Sequence, residues 1–156
     1  MAIATPKGSS SSVLIVDDDD LFQEILCTML TNLGVTGIQR AHNGRQASRL
    51  TANQSMPFDL CICDIFMPEM DGIEFVLQLA RQGYRGDLIL VSGGDPDLLS
   101  LAEWIALENR LNLLATLTKP LTLDGLTQAL MSNSAQSQYL TAIYPCKPRK
   151  ISASSS

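Results

Sequence analysis

The sequence predicts an α/β protein with a parallel sheet of five strands and helices on both faces. Five short apolar segments alternate with five segments whose apolar residues recur at helical spacing, and the connections between them are short. Right-handed crossovers through helices join parallel strands in this way. The doubly wound strand order 2-1-3-4-5 is the natural solution, and it puts the switch point of the sheet between strands one and three.

The first third of the chain contains two strand and helix units. The run Val13–Val16 is continuously apolar, as in a buried parallel strand, and the helical spacing that follows it ends at Gly34. We expect a second strand at 35–40, a turn at Asn43-Gly44 and a second helix at about 45–53. These segments make the first two units of the predicted fold.

Three further units complete the predicted sheet. Residues 58–63 suit a fully buried strand that ends at Asp64, and Asp71 can cap the helix after it. The expected buried face of that helix comprises Ile73, Val76, Leu77 and Ala80. The remaining elements are expected as strands at 87–91 and 113–117 and as helices at about 96–112 and 122–132.

The composition fits one folded domain. The chain has 156 residues, of which 46% are hydrophobic and 17% are charged, and this is enough for one sizeable core. We expect the domain at 12–133, a disordered leader at 1–11 and a linker or disordered tail at 134–156. The tail is too short for an output domain, so the chain is either a stand-alone domain or the first part of a longer protein.

Charge and hydropathy argue against two classes of partner. The net charge of -5 and the pI near 4.7 disfavour direct binding of nucleic acid, which needs clustered lysine and arginine. The N-terminus has no apolar signal segment, and no stretch approaches the roughly 18 apolar residues of a membrane span. We therefore expect no membrane partner and a cytoplasmic location.

The cysteines are best explained as ordinary thiols. Cys61 and Cys63 share one buried strand, while Cys27 and Cys146 lie far from them in the sequence. A chain of this size does not need disulfides, and His42 is the only histidine that could complete a metal site. Core thiols are therefore favoured over zinc binding or redox chemistry.

Polar residues stand at the ends of four predicted strands. Asp17 and Asp18 follow the first strand, Asp64 ends the third, Ser92 follows the fourth and Lys119 follows the fifth. The predicted strand order sets the first two acids beside Asp64. Three carboxylates a few Å apart raise one another's proton affinity or require a cation, and Mg²⁺ prefers such oxygen ligands. For Asp19 and Asp20, helix capping and turn formation are favoured over a role in this site.

These features together resemble the receiver domain of two-component response regulators, the family of the chemotaxis regulator, which has a flavodoxin-like fold. The resemblance covers about residues 12–133. It depends on the paired acids after the first strand, on Asp64-x-x-Met67-Pro68-x-Met70-Asp71-Gly72, and on Lys119-Pro120. These motifs appear in order on alternating units, and their combined spacing argues against agreement by chance.

The resemblance implies a metal site and a phosphoryl site. Asp64 would be the phosphoacceptor, and Asp18, Asp64 and the backbone carbonyl of Phe66 would bind Mg²⁺ directly, with Asp17 acting through a water molecule. A sensor histidine kinase or a phosphotransfer protein would supply the phosphoryl group. Such a domain assists its own phosphorylation and dephosphorylation but is not a metabolic enzyme.

The resemblance also assigns the groups that contact the phosphoryl oxygens. Ser92 would donate its hydroxyl, and Lys119 would pair its ammonium with the phosphoryl group and with Asp64. The bond between this lysine and Pro120 is usually cis in the family.

Two departures from the family pattern bear on signalling. Thr116 occupies the position where members commonly carry a switch aromatic, and the fourth helix is longer and more apolar than in the single-domain chemotaxis regulator. Extra apolar residues on that helix indicate a partner surface, such as a homodimer formed through helix four, strand five and helix five. The long helix with the segment 114–121 also looks like receivers joined to cyclic-di-GMP phosphodiesterase outputs.

Two other functions remain open from the sequence. A haloacid-dehalogenase-type phosphatase also uses an aspartyl phosphate, and Asp17-Asp18-Asp19 contains its Asp-x-Asp spacing, although the Asp64 motif would then be unexplained. A binding module that does not respond to phosphorylation is favoured only by the missing switch aromatic.

Overall fold

The computed structural model describes residues 12–53, 57–67 and 71–131. The strands are β1 (Ser12–Val16), β2 (Gly37–Ala41), β3 (Leu60–Asp64), β4 (Asp87–Ser92) and β5 (Asn112–Thr118). The helices are α1 (Asp20–Asn32), α2 (Gly44–Thr51), α3 (Gly72–Arg81), α4 (Pro96–Glu108) and α5 (Leu123–Met131). None of these helices combines the length and the hydropathy needed to cross a membrane. The predicted leader at 1–11 and tail at 134–156 lie outside the described residues, so those two predictions stay untested.

The strands form one parallel sheet in the order β2-β1-β3-β4-β5, which confirms the predicted fold class. The register of the central pair places the site. Val16 of β1 pairs with Cys63 of β3, so the residues that follow them, Asp17 and Asp64, come out side by side at the carboxyl edge. The order therefore brings acids from separate segments together at the switch point.

Helices cover both faces of the sheet, as predicted. On one face, α2, α3 and α4 pack Ala47, Phe75, Leu79, Ala102 and Ala106 against strand residues that include Leu14, Cys61 and Leu90. On the other face, α1 and α5 pack Phe22, Leu26, Leu30, Leu126 and Leu130 against residues that include Ile15, Ile62 and Val91. Each fully buried leucine or phenylalanine stabilises the fold by about 1.5–3 kcal/mol. Cys61 and Cys63 are buried in the first cluster as free thiols, as expected.

The predicted buried face of α3 was wrong in phase. Only Val76 of the predicted residues is fully buried, and the face consists of Gly72, Phe75, Val76 and Leu79. These positions follow the i, i+3, i+4, i+7 spacing of one helix face. The first of them is a glycine, which carries no side chain and so gives no hydrophobic signal in the sequence.

The predicted end of α4 was also wrong. The helix stops at Glu108, because Arg110 has a positive φ of 62° that leaves the helical region, and Asn112 already belongs to β5. A left-handed arginine gives no sequence signal comparable to a glycine. The buried face of α4 consists of the small residues Ala102 and Ala106, whereas Leu101 is 47% exposed.

The N-terminal elements differ from prediction by smaller amounts. β2 begins at Gly37 and ends at Ala41, two residues later than expected at its start. The predicted turn at Asn43 is the N-cap of α2, because its side chain accepts a hydrogen bond from the Gln46 amide at 2.7 Å.

Candidate functional site

The carboxyl edge of the sheet gathers the predicted acidic residues. Asp17 and Asp64 are buried, Asp18 is exposed, and one carboxylate oxygen of each lies within 4.8 Å of the others. Asp64 is the last residue of β3, and the other two directly follow β1. The structure thus brings together the acids that the sequence predicted.

Lys119 reaches into this acidic cluster from the end of β5. Its Nζ lies 2.9 Å from Oδ2 of Asp17 and 3.6 Å from Oδ2 of Asp64. The bond between Lys119 and Pro120 is cis, in agreement with the expectation. In this arrangement the ammonium is closer to Asp17 than to the predicted phosphoacceptor.

Ser92 ends β4 at the same edge of the sheet. It is buried, its backbone carbonyl accepts a hydrogen bond from the Lys119 amide at 2.9 Å, and its hydroxyl accepts one from the Gly94 amide at 3.3 Å. The register pairs Asp64 with Val91, so Ser92 stands one residue beyond that pair. The hydroxyl is therefore supplied by the strand next to Asp64.

The start of α1 fixes Asp17 from both sides. The Asp19 amide donates to Oδ1 of Asp17 at 2.8 Å, and Nε2 of Gln23 donates to the carbonyls of Asp17 and Ala41 at 2.7 and 2.8 Å. Gln23 is fully buried. Sequence reasoning missed this residue, although a glutamine between Phe22 and Leu26 on an apolar helix face is a signal that could have revealed it.

The two remaining acids of the four-aspartate run have local roles. Asp19 is the N-cap of α1 and accepts hydrogen bonds from the amides of Leu21 and Phe22. Asp20 lies 2.7 Å from Nε2 of His42 and is exposed. Capping by Asp19 is confirmed, and neither residue joins the group of three close carboxylates.

The β3–α3 connection holds Asp64 against the start of α3. Asp71 caps the helix by accepting the Glu74 amide at 2.9 Å, and the Gly72 amide donates to the Ile65 carbonyl at 2.7 Å. A Cβ at Gly72 would lie 2.5 Å from Cα of Ile65, which is too close for any side chain. Glycine therefore lets the helix approach the backbone beside Asp64. Phe66 lies in the same connection, with a side chain that is 78% exposed and an amide 3.5 Å from Oδ1 of Asp64.

Burial and mutual repulsion perturb the charges of the site. Burial is the main cause that raises the pKa of Asp64 from 3.8 to about 6, and the Asp17 carboxylate adds to it. The Lys119 ammonium acts in the opposite direction and lowers this pKa. Burial also raises the pKa of Asp17, although its hydrogen bond with Lys119 lowers it. Burial lowers the pKa of Lys119, but its contacts with Asp17 and Asp64 outweigh this and leave it above its ordinary value. The cluster therefore has more negative charge than one ammonium compensates.

The donor set fits a hard divalent cation. Three carboxylates with ligand oxygens within 4.8 Å match the all-oxygen coordination of Mg²⁺. The raised pKa of Asp64 shows that further positive charge would stabilise the ionised cluster. The residues at this edge can hold such a cation.

The raised pKa of Asp64 predicts a pH-dependent stability in the metal-free protein. The folded state binds the Asp64 proton more tightly than the unfolded state does. Protonation of Asp64 therefore stabilises the fold fully below about pH 4, and this stabilisation is lost as pH rises through 6. Relative to Asp64→Asn, the wild type is expected to lose up to about 3 kcal/mol of unfolding free energy across this window. Urea titrations with a chelator, from pH 4 to pH 7, measure the difference. A difference that does not change with pH would contradict the electrostatics described above.

The position of the usual switch aromatic is occupied by Thr116 on β5, where it is half-buried and paired with Leu90. No aromatic residue lies on this strand. Three large apolar side chains on α4 are exposed instead: Leu101, Trp104 and Leu107. This chain therefore cannot transmit a signal by rotating an aromatic side chain at position 116.

Comparison with known proteins agrees with this geometry. The family model for the response regulator receiver domain matches residues 13–131. The chain is 34% identical over 122 residues to "Probable chemotaxis protein CheY" of Rhizobium etli, covering 76% of this chain and 88% of that protein. It is 31% identical over 132 residues to "Probable C4-dicarboxylate response regulator DctR" of Bacillus subtilis, covering 83% of this chain but only 55% of that protein.

Further matches extend the comparison to a phosphodiesterase and to a solved structure. "Cyclic di-GMP phosphodiesterase RocR" of Pseudomonas aeruginosa is 29% identical over 133 residues, which cover 83% of this chain and 33% of that protein. A crystal structure of a response regulator from Colwellia psychrerythraea has 37% identity and a TM-score of 0.67, with 80% of this chain and 96% of that chain covered. The chain belongs to the family of response regulator receiver domains of two-component signalling.

Proposed function

We propose that Asp64 accepts a phosphoryl group from the phosphohistidine of a sensor histidine kinase or a phosphotransfer protein, and that this switches a protein-interaction surface. The observation that carries the proposal is the buried Asp64 carboxylate, which ends β3 among Asp17, Asp18 and Lys119. Receiver domains take phosphoryl groups from histidine kinases, and the family model covers the whole of this site.

The side chains of the site divide the chemistry among them. An Asp64 carboxylate oxygen forms the new bond to phosphorus, the bond between phosphorus and the donor imidazole breaks, and the imidazole leaves with the electron pair. Lys119 would neutralise the phosphoryl oxygens, and the Ser92 hydroxyl would donate a hydrogen bond to them. Because Asp64 has to be ionised to attack and its pKa is raised, a neighbouring cation would favour the reactive, ionised form.

Mg²⁺ is the cofactor that these residues suit. Asp18, Asp64 and the carbonyl of Phe66 would hold it directly, and when bound it supplies the positive charge that lets two anions approach. Asp17 would contact it only through water. Support for that division comes from the carboxylate of Asp17, whose two oxygens already face the Asp19 amide and Lys119.

The geometry favours a phosphoacceptor over the phosphatase alternative. A phosphatase of the haloacid dehalogenase type would use Asp17 and Asp19 as its nucleophile and its acid-base residue. Asp19 is instead engaged as the cap of α1. Asp64, at the end of β3, is the residue that lies beside both the Lys119 ammonium and the Asp17 carboxylate. A signalling role is therefore favoured over metabolic hydrolysis.

The output surface is proposed on α4, β5 and α5. Leu101, Trp104 and Leu107 form an exposed apolar stripe on α4 at spacings of three residues. A homodimer through this face, or contact with a C-terminal output domain in a longer protein, would cover the stripe. A cyclic di-GMP phosphodiesterase output, as the name of RocR indicates for that protein, is one candidate. We also propose a cytoplasmic location, where the domain would receive the phosphoryl group from a kinase.

A small phosphodonor tests the proposal without knowledge of the kinase. Acetyl phosphate with Mg²⁺ is expected to add the mass of one phosphoryl group to the intact wild-type protein, and a chelator is expected to prevent the gain because the acidic cluster then lacks its cation. No gain with Mg²⁺ would contradict the proposal. A phosphorylated protein with an unchanged amide spectrum and oligomeric state would favour the binding-only alternative for the output.

A further inference from the structure

An aromatic ring lies directly beneath the ammonium of the site. Nζ of Lys119 is 4.2 Å from the centroid of the Phe22 ring, within the distance at which a cation is attracted to the face of an aromatic ring. Phe22 belongs to α1, is 9% exposed, and packs in the cluster between the sheet and the helices α1 and α5. The contact therefore joins α1 to the residue that follows β5.

Among the residues that the structure describes, the ammonium has three attractive partners. They are Asp17 at 2.9 Å, Asp64 at 3.6 Å and the ring of Phe22. A phosphoryl group on Asp64 would compete with Asp17 for the ammonium and draw it away from the closer Asp17 oxygen. A hydrogen bond to one carboxylate oxygen is lost in such a movement, whereas attraction to a ring face is broad in direction and persists over a small displacement.

We infer that Phe22 is a positioning residue of the phosphorylation site, whose ring holds the Lys119 ammonium over the site while that ammonium exchanges Asp17 for the phosphoryl group. The inference rests on the proposed phosphoryl acceptance by Asp64. The inference assigns to Phe22 an electrostatic role that is separate from its packing in the core. In this role Phe22 acts only through Lys119.

Packing and electrostatics predict different substitution series. If Phe22 only fills space, the effects of Phe22→Leu and Phe22→Tyr would depend only on how well each side chain packs in the core. If the ring holds the ammonium, Phe22→Tyr keeps the attraction and Phe22→Leu loses it while remaining apolar. Leu30→Val is a matched packing control, because Leu30 lies on the same helix in the same cluster and loses core volume without touching the site.

Phosphorylation rates with acetyl phosphate and Mg²⁺ give the functional test. Phe22→Leu is expected to react about threefold to tenfold more slowly than wild type, and Phe22→Tyr within about twofold of it. Leu30→Val is expected to unfold at lower urea concentration yet to react at the wild-type rate. In a Lys119→Met background, Phe22→Leu is expected to cause no further slowing, since the ring then has no cation to hold.

A measurement on the unphosphorylated protein tests the contact itself. The ring current of Phe22 is expected to shift the NMR signals of the Lys119 ε-methylene protons upfield, and the shift should persist in Phe22→Tyr and vanish in Phe22→Leu. If Phe22→Leu does not fold, Phe22→Met replaces it, because methionine also lacks an aromatic face and fills irregular space well.

The outcomes separate this inference from the proposed function. A wild-type protein that gains no phosphoryl group overturns the proposed function and this inference together. A wild-type protein that is phosphorylated, with Phe22→Leu equally fast, overturns only the inference. Equal slowing by leucine and tyrosine, further slowing in the Lys119→Met background, or an unshifted Lys119 signal would also overturn it.

Discussion

Replacement of Asp64 by asparagine is expected to abolish phosphorylation of the intact protein. The asparagine side chain has nearly the same shape, but an amide oxygen does not form the acyl phosphate that a carboxylate forms. Because burial raises the pKa of Asp64, the change also removes an unfavourable charge, so the variant is expected to be at least as stable as wild type near pH 7 without metal. Intact mass after treatment with acetyl phosphate and Mg²⁺ measures the loss.

The matched control for this prediction is Asp19→Asn. Asp19 lies in the same acidic run as Asp17, but its side chain caps α1, and asparagine caps helices about as well as aspartate. The control is expected to gain a phosphoryl group as the wild type does. Full phosphorylation of Asp64→Asn would contradict the assignment, and loss in Asp19→Asn would mean that the acids after β1 have been assigned to the wrong positions.

Replacement of Lys119 by methionine is expected to slow phosphorylation by roughly 100-fold or more, the usual effect of removing one donor that stabilises developing charge. Methionine retains most of the side-chain volume but leaves Asp17 and Asp64 without the ammonium that lies 2.9 and 3.6 Å from them. Metal binding is expected to persist or to tighten, since a competing cation has been removed from the cluster. Initial rates with acetyl phosphate and calorimetric titration with Mg²⁺ measure the two effects separately.

Lys119→Arg provides the comparison at constant charge. Arginine keeps the positive charge but presents a planar group of different reach, so an intermediate rate is expected. If Lys119→Met reacts as fast as wild type, the ammonium has no part in the reaction. If metal binding is lost together with the rate, Lys119 acts by maintaining the cluster and not by contacting the phosphoryl group.

Much of the fold was predictable because it depends on how apolar and amphipathic segments alternate along the whole chain. Alternating apolar and amphipathic segments determine a parallel doubly wound sheet, and the sheet order then brings Asp17 and Asp64 together whatever the details of the loops. The main acids and Lys119 were predictable for the same reason, since each stands at the end of a strand.

Features set by single local contacts were not predictable in the same way. The face of α3 follows from Gly72 packing on the backbone at Ile65, and α4 ends early at a left-handed Arg110. Neither glycine packing nor an unusual arginine conformation leaves a periodic signal. Phe22 looks like an ordinary helix residue in the sequence, and only the three-dimensional contacts show that it faces Lys119. Gln23 is unusual as a glutamine on an apolar helix face, but the sequence does not show that it supports Asp17.

The central claim is that the phosphoryl group is carried by the side chain of Asp64, and locating the group on the freshly phosphorylated wild-type chain tests it most directly. Tandem mass spectrometry is expected to find it on the peptide that contains Asp64, and hydroxylamine is expected to release it because an acyl phosphate is a reactive mixed anhydride. A group that resists hydroxylamine, or one that maps to another residue such as Asp17 or Ser92, would contradict the claim.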